Sequence, residues 1–332
     1  MVRKRQRQYS KVTVIGNTSW GNTLGALLGG KGAEVRLWTR SEAEAEELNQ
    51  GRRSYSSTSH MEEALSEAGL VIWAVPSQKL RENVRQAKDH LTSSMVLVSA
   101  AKGLEVGSGK RMSQVLAEEI APSLRGQICV LSGPNLAGEI AQSLPAASVI
   151  AAQDIALAER AKELIESPKF VLSTSDDVVG VELGGALKNI IALGAGMIDG
   201  LALGDNAKGA FIAWGWTEVV SLGVTLGAKA DTFYGLAGLG DLITTCASTL
   251  SRNHYVGYEL AKGRSLSEIS ASMTHVAEGV ATTAAVYRLA KNQGLKLPTI
   301  NLIYGILFEG LPPSRVLRKF EGLVASRRCS PG

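Results

Sequence analysis

The sequence predicts an α/β chain in which a doubly wound N-terminal domain precedes an all-helical C-terminal domain. Short β-branched runs alternate with amphipathic stretches from Lys11 to about Ser175. These runs are nearly continuously apolar, as strands covered on both faces of a mostly parallel sheet must be. Beyond Asp176 the alternation stops, and long apolar segments rich in Ala and Gly take over. A chain of 332 residues, 45% hydrophobic, is longer than most single domains and can bury two cores.

The strand candidates, in order, are KVTVIG from Lys11, AEVRLWTR from Ala33, GLVIWAVP from Gly69, MVLVSAAKG from Met95, QICVLSG from Gln127, AASVIAA from Ala146 and FVLSTS from Phe170. Helical patterns separate them, so right-handed crossovers place helices on both faces. The EAEAEEL run near residue 45 reads as a solvated helix face. STSDD, residues 173–177, is suited to end a strand and cap the next helix. The expected division is a flexible basic tail at 1–10, a dinucleotide-binding domain at 11–176 and a helical substrate domain at 177–332. In the last, GVELGGALKNIIALGAGMIDGLALG and NAKGAFIAWGWTEVVSLGVTLGA read as long buried helices.

Composition excludes several function classes. Lys and Arg number 35 against 31 Asp and Glu, and part of the surplus sits in MVRKRQRQYS and SRRC at the two ends, so nucleic acid is not the expected partner. The N-terminal basic run reads as a short solvated tail, with no apolar h-region behind it, and the longest apolar runs are broken by Gly or charge. Neither a signal peptide nor a membrane span is expected, and the location is cytoplasmic. Cys129, Cys246 and Cys329 are widely spaced and the four histidines scattered, so no metal site and no disulfide framework is expected.

The first strand runs into VIGNTSWGNTLG, where Gly16, Thr18 and Gly21 occupy the places of a G-x-G-x-x-G turn. This context, with a helix beginning around Ser19 to Trp20, makes the N-terminal domain Rossmann-like. Gly16 permits the tight turn and Gly21 a close helix packing. Thr18 puts a β-carbon where the backbone normally approaches a pyrophosphate. Binding then requires an outward shift of the pyrophosphate, with the Thr18 hydroxyl donating to it and the helix N-terminus offering its N–H groups. The second strand ends in Trp38-Thr39-Arg40-Ser41-Glu42 without a carboxylate at its tip. Arg40 there suits a 2′-phosphate and favours NADP, and Glu42 leaves NAD open.

Further along, SAAKGLE places Lys102 just past a strand at the ligand-facing edge of the sheet. LSGPNLAGEIA repeats that arrangement, with Gly133-Pro134 and then Asn135 opening a helix, an anion or nicotinamide contact or an ordinary turn. Lys188 and Asn189 interrupt an apolar helix, where a lysine either has a task or snorkels out. A desolvated lysine beside other cations loses proton affinity, as a group exchanging a proton with a substrate oxygen must. In GLAGLGDLITTC, Asp241 and Thr245 lie one helical turn apart. Ser251, Arg252 and Asn253 form either a phosphate clamp or a helix cap.

LSGPN, ALKNIIALGAG, GLALGDNAK, GLAGLGDLITTC, LSRN and VAEGVATT follow one another in an order and spacing that resemble the bacterial NAD(P)-dependent glycerol-3-phosphate dehydrogenases. The resemblance covers roughly residues 11 to 325. It implies a two-domain enzyme, usually a homodimer, that interconverts sn-glycerol 3-phosphate and dihydroxyacetone phosphate for phospholipid synthesis. By position, Lys188 resembles the proton donor and acceptor, with Lys102 and Asp241 completing the polar site. Asn189 and Thr245 match substrate positions, as do Gly133, Asn135, Arg252 and Asn253, the family commonly having Ser or Thr at position 135. Ser19, Trp20, Arg40, Lys102, Ala137, Arg252, Val276 and Glu278 correspond to nucleotide contacts.

Two departures stand out. The family turn is usually G-A-G-S-W-G, so Asn17 and Thr18 are unusual, and FIAWGWTE carries Trp214 where an arginine is familiar. Two rival readings follow: a dehydrogenase of the same architecture acting on another phosphorylated or carboxylated hydroxy acid, and a cofactor sensor without turnover. The first would keep Lys188 and Asn189 but not the whole GLAGLGDLITTC…LSRN set. The second, suggested by Thr18 and Trp214, would bind NADPH without reducing dihydroxyacetone phosphate, and the presence of every presumed polar reaction residue speaks against it.

Overall fold

The computed structural model describes residues 11–317. The expected basic tail at 1–10, the C-terminal SRRC and Cys329 lie outside the described residues. These residues form two compact units, one running up to Ala101 and resuming at Met112–Val178, the other made of Lys102–Arg111 and the residues from Val179 onward.

In the first unit strands and helices alternate: β1 (Lys11–Ile15), α1 (Ser19–Gly30), β2 (Val35–Trp38), α2 (Glu42–Gln50), β3 (Ser56–Thr58), α3 (Met61–Leu65), β4 (Ala68–Trp73), α4 (Leu80–Ala87) and β5 (Val96–Ser99). After the excursion at 102–111 come α5 (Met112–Glu119), β6 (Ile128–Ser132), α6 (Ala137–Ala141), β7 (Ala146–Ala152), α7 (Ile155–Ile165) and β8 (Phe170–Ser175). One eight-stranded sheet results, in the order β3-β2-β1-β4-β5-β6-β7-β8. The pairs from β3 to β6 are parallel, β6 and β7 run antiparallel, and β7 and β8 are parallel to each other. This is the doubly wound arrangement that the alternating apolar runs predict, with an antiparallel turn-back at its far edge. Its strands are buried on both faces: Val14, Leu37, Leu70, Ile72, Val96 and Val98 belong to one apolar cluster, and Ile15, Val71, Trp73 and Leu97 to another.

The seven strand runs all form strands; β3 is the addition. Its three residues, Ser-Ser-Thr, carry no apolar pattern, and it exists because Arg36–Trp38 of β2 offers a free edge in register with it. The Trp38 indole N–H also donates to the Ser59 carbonyl at 2.9 Å.

The second unit is helical: α8 (Val178–Gly200), α9 (Asp205–Thr225), α10 (Asp241–Ala247), α11 (Arg252–Ala261), α12 (Leu266–Ser272), α13 (Glu278–Asn292) and α14 (Pro298–Phe308). Helix α8 is its axis. It is long and apolar enough to cross a bilayer, but most of it is buried inside the unit. Leu187, Ile190, Ile191, Leu193, Met197 and Ile198 are fully enclosed, each contributing about 1.5–3 kcal/mol by burial. Cys129 in β6 and Cys246 in α10 are buried free thiols, both pushed up to about 12 by desolvation.

Glycines decide how closely the other helices approach α8. A Cβ on Gly196 would lie 2.0 Å from the His254 carbonyl oxygen, and one on Gly257 of α11 would lie 1.9 Å from the Leu193 oxygen. Both sites are backbone against backbone, so neither neighbour can yield cheaply. Gly209 in α9 faces open space. Gly257→Ala is therefore expected to destabilise the protein by on the order of 2 kcal/mol, and Gly209→Ala to leave it unchanged or stabilise it by up to about 1 kcal/mol. Urea unfolding of the two variants checks the contrast; equal stabilities would contradict the crossing.

Candidate active site

The β1–α1 turn in the first unit is built as a dinucleotide turn must be. Gly16 has φ +122°, and a Cβ there would press on Val75 Cγ1 at 2.7 Å. A Cβ on Gly21 would lie 2.1 Å from the Gly16 carbonyl oxygen, so Gly21 brings the helix against the turn itself. Thr18, with extended backbone, is the N-cap of α1. Its hydroxyl accepts from the Gly21 N–H at 3.0 Å and donates to the Ala74 carbonyl at 2.7 Å. That corrects the expectation that Thr18 donates to a phosphate: its one proton is already committed to the end of β4. The Thr18 N–H is spent on the Gly16 carbonyl at 3.0 Å. Among the described residues, Ser19 and Trp20 thus carry the first-turn N–H groups without a protein partner, at the positive end of a twelve-residue helix. These residues fit a dinucleotide pyrophosphate.

Arg40, just beyond β2, is 80% exposed at its side chain and pairs with Glu44 Oε1 at 3.3 Å. At the end of β6, Gly133 has φ +143°, and a Cβ would lie 2.8 Å from the Ser148 backbone, so only glycine fits. Asn135 does not open a helix as expected. α6 begins at Ala137, has five residues and is preceded by Leu136 without a side-chain cap, so no helix N-terminus lies at Asn135. Instead the Asn135 side-chain oxygen accepts from the Ser148 hydroxyl, which leaves its buried Nδ2 without a partner among the described residues. A buried unpaired donor is costly unless something satisfies it. Ser148 carries no signal in the sequence; it lies on β7, two strands away from β5 and next to β6 in the sheet.

In the second unit four predicted residues come together. Lys188, in the middle of α8, is 6% exposed, and Asp241, the first residue of α10, is 1% exposed. Lys188 donates to Asp241 Oδ1 and to the Thr245 hydroxyl, and Lys102 donates to Asp241 Oδ2 at 2.7 Å. One carboxylate thus receives a lysine on each oxygen. Thr245 lies one turn after Asp241, as the spacing predicts, with its hydroxyl 3.5 Å from Asp241 Oδ1. Burial is the largest influence on Lys188 and lowers its pKa to about 8; the Asp241 charge opposes the fall and the Lys102 charge adds to it.

Lys102 reaches this cluster by a route the sequence does not announce. Residues 102–111 group with the helical unit. Leu104 enters the helical core, and Arg111 donates to Glu182 on α8. Those anchors group Lys102 with the helices.

The remaining predicted residues form a second polar set. The Asn253 side chain donates to the Asn189 side-chain oxygen and accepts from the Gly279 N–H, both at 2.8 Å. It thereby ties α8, α11 and the start of α13 together through Gly279, which lies inside VAEGVATT but carries no sign of this role in the sequence. Ser251 is the N-cap of α11, accepting from His254 N, so its cap reading holds. Arg252 is exposed beside it, with Glu278 as a charged neighbour, and Val276 is 50% exposed. Trp214 is partly buried in α9.

Comparison with known proteins identifies the family. Residues 11–158 match the family described as NAD-dependent glycerol-3-phosphate dehydrogenase N-terminus, and residues 177–318 the corresponding C-terminus. The glycerol-3-phosphate dehydrogenase [NAD(P)+] of Dehalococcoides mccartyi is 52% identical, covering 97% of this chain and 93% of that protein. The enzyme of the same name from Pelotomaculum thermopropionicum is 43% identical, covering 93% and 92%. The crystal structure of glycerol-3-phosphate dehydrogenase from Coxiella burnetii superposes with a TM-score of 0.88 at 30% identity, covering 94% of this chain and 98% of that one. The chain belongs to the NAD-dependent glycerol-3-phosphate dehydrogenase family.

Proposed function

We propose that this protein interconverts sn-glycerol 3-phosphate and dihydroxyacetone phosphate with NAD(P)(H), feeding glycerophospholipid synthesis, and that Lys188 moves the proton. The observation that carries the assignment is the lysine buried on α8, bonded to Asp241 and Thr245 and brought to a pKa of about 8. When bound, the nicotinamide supplies or accepts the hydride at the substrate's C2.

The protein's own part is charge and proton placement. At neutral pH Lys188 is mostly protonated, and with a pKa near 8 it gives up its proton readily to a ketone oxygen gaining negative charge. Deprotonated, it takes the proton back from the alcohol. Asp241 fixes the direction of the ammonium, and Lys102 donates to its other carboxylate oxygen. The ammonium of Lys188 favours an anionic substrate and a developing alkoxide. Asn189, Asn253 and the exposed Arg252 supply donors for the hydroxyl and phosphate groups, while the Thr245 hydroxyl accepts from Lys188 and helps to orient it. Gly133 and Asn135 are assigned to the substrate by their match to family positions.

The Ser19 and Trp20 N–H groups are assigned to the pyrophosphate. Arg40, Ala137, Lys102, Arg252, Val276 and Glu278 are assigned to the nucleotide by their match to family positions, with NADP(H) the favoured form. A homodimer working in the cytoplasm, with small molecules rather than nucleic acid as partners, follows from the same family likeness.

A steady-state assay of dihydroxyacetone phosphate reduction with NADH and NADPH side by side tests the assignment. Wild type is expected to turn over, and Lys188→Ala to keep cofactor binding while losing turnover by roughly two to four orders of magnitude. Near-wild-type turnover in that variant would remove Lys188 from the chemistry. The engaged hydroxyl of Thr18 generates a second expectation. Thr18→Gly removes the helix cap and frees the Gly21 N–H, so it should lower the melting temperature while tightening NADH and NADPH binding alike. Weaker binding of both, measured by nicotinamide fluorescence, would contradict this account of the turn.

A further inference from the structure

A line of side chains outside the assigned residues leads into the cofactor turn. The segment entering β3 crosses α1 where Gly29 leaves room: a Cβ there would lie 1.9 Å from the Ser54 carbonyl oxygen. From this crossing the buried Tyr55 ring climbs along the helix. A Cβ on Gly25 would meet the ring at 3.0 Å, and the Tyr55 hydroxyl donates to the Asn22 side-chain oxygen at 2.9 Å. Asn22 then donates to the side-chain oxygen of Asn17, in the turn itself, at 2.9 Å. At the other end the Arg53 guanidinium donates to the Tyr55 hydroxyl at 2.8 Å and lies over the edge of its ring, 5.6 Å from the centroid.

Each link in this chain points the same way. Arg53 donates to Tyr55, Tyr55 to Asn22 and Asn22 to Asn17, which turns the Asn17 Nδ2 outward as a donor with no partner among the described residues. Arg53 has no carboxylate partner among the described residues, whereas Arg40 shares its charge with Glu44. The result is a positioned, uncompensated cation and an amide donor beside a nucleotide turn. Both belong to the side of α1 that carries β2 and β3, since the sheet order is β3-β2-β1-β4. In folds of this kind the adenosine ribose is received at the end of β2, while the pyrophosphate takes the helix N–H groups.

We propose that Arg53, held by Tyr55 and Asn22 and assisted by Asn17, is a second cation for the adenosine 2′-phosphate of NADP(H), supplementing Arg40. The proposal rests on the dinucleotide reading of the turn. A 2′-phosphate carries more negative charge than one half-neutralised guanidinium can balance, and two guanidinium groups provide the bidentate donors that phosphate oxygens accept. Tyr55 is a positioning residue: without its hydroxyl, Arg53 loses the anchor that aims it at the turn.

Direct titration of NADPH and NADH against wild type, Arg53→Ala and Tyr55→Phe, with melting temperatures recorded for each, decides the matter. Arg53→Ala is expected to raise the Kd for NADPH tenfold or more while changing that for NADH less than twofold. Tyr55→Phe should give a smaller loss confined to NADPH, and in both variants the NADPH affinity should depend less steeply on salt. Unchanged NADPH binding in Arg53→Ala, or an equal loss for both dinucleotides, overturns the assignment. A wild-type chain that bound neither dinucleotide would instead overturn the cofactor reading beneath it.

Discussion

The carboxylate of Asp241 is the constraint around which the helical unit is arranged. Two lysines, Lys188 and Lys102, come out of water toward it, one on each oxygen. Removing one partner of a buried charge pair typically costs about 3–5 kcal/mol, so neither lysine sits stably there without the acid. The apolar residues of α8 make such an arrangement tolerable. Each buried Ile or Leu contributes about 1.5–3 kcal/mol, and several of them flank Lys188 on the same helix. The structure thus holds an ammonium in a place where its proton is loosely bound, which is the property that proton exchange with a ketone oxygen demands.

Close packing gives this cluster its rigidity. Gly196 and Gly257 bring α8 and α11 into backbone contact, and the Asn189–Asn253–Gly279 bonds then set the start of α13. The segment 102–111 is fastened by Leu104 and by Arg111 on Glu182. Lys102 therefore owes its position to the helical unit although its nearest strand, β5, belongs to the sheet. In the first unit the same economy appears at the turn, where Thr18 serves as helix cap and as tether to the end of β4 with one hydroxyl.

Much of this was legible in the sequence because apolar periodicity and glycine placement report directly on burial and turns. The seven apolar runs, the helix start at Ser19, the two long helices and the one-turn spacing of Asp241 and Thr245 all follow from such patterns. What escaped depended on tertiary partners. β3 is polar and three residues long, so only the neighbouring edge of β2 makes it a strand. Asn135 reads as a helix opener until Ser148, from another strand, takes its oxygen. The Thr18 hydroxyl reads as a phosphate donor until Ala74, 56 residues later, accepts its proton. Arg53 and Tyr55 fall in a charged, irregular stretch where no local pattern shows that they reach the turn.

Burial, more than any single neighbour, loosens the proton on Lys188. Site-resolved NMR titration of the lysine side chains, with the Lys188 signal assigned by its loss in Lys188→Arg, tests it directly. This one lysine is expected to titrate near pH 8, so that it donates below that pH and accepts above it. A Lys188 signal titrating near 10.5, the ordinary value for a solvated lysine, would contradict it.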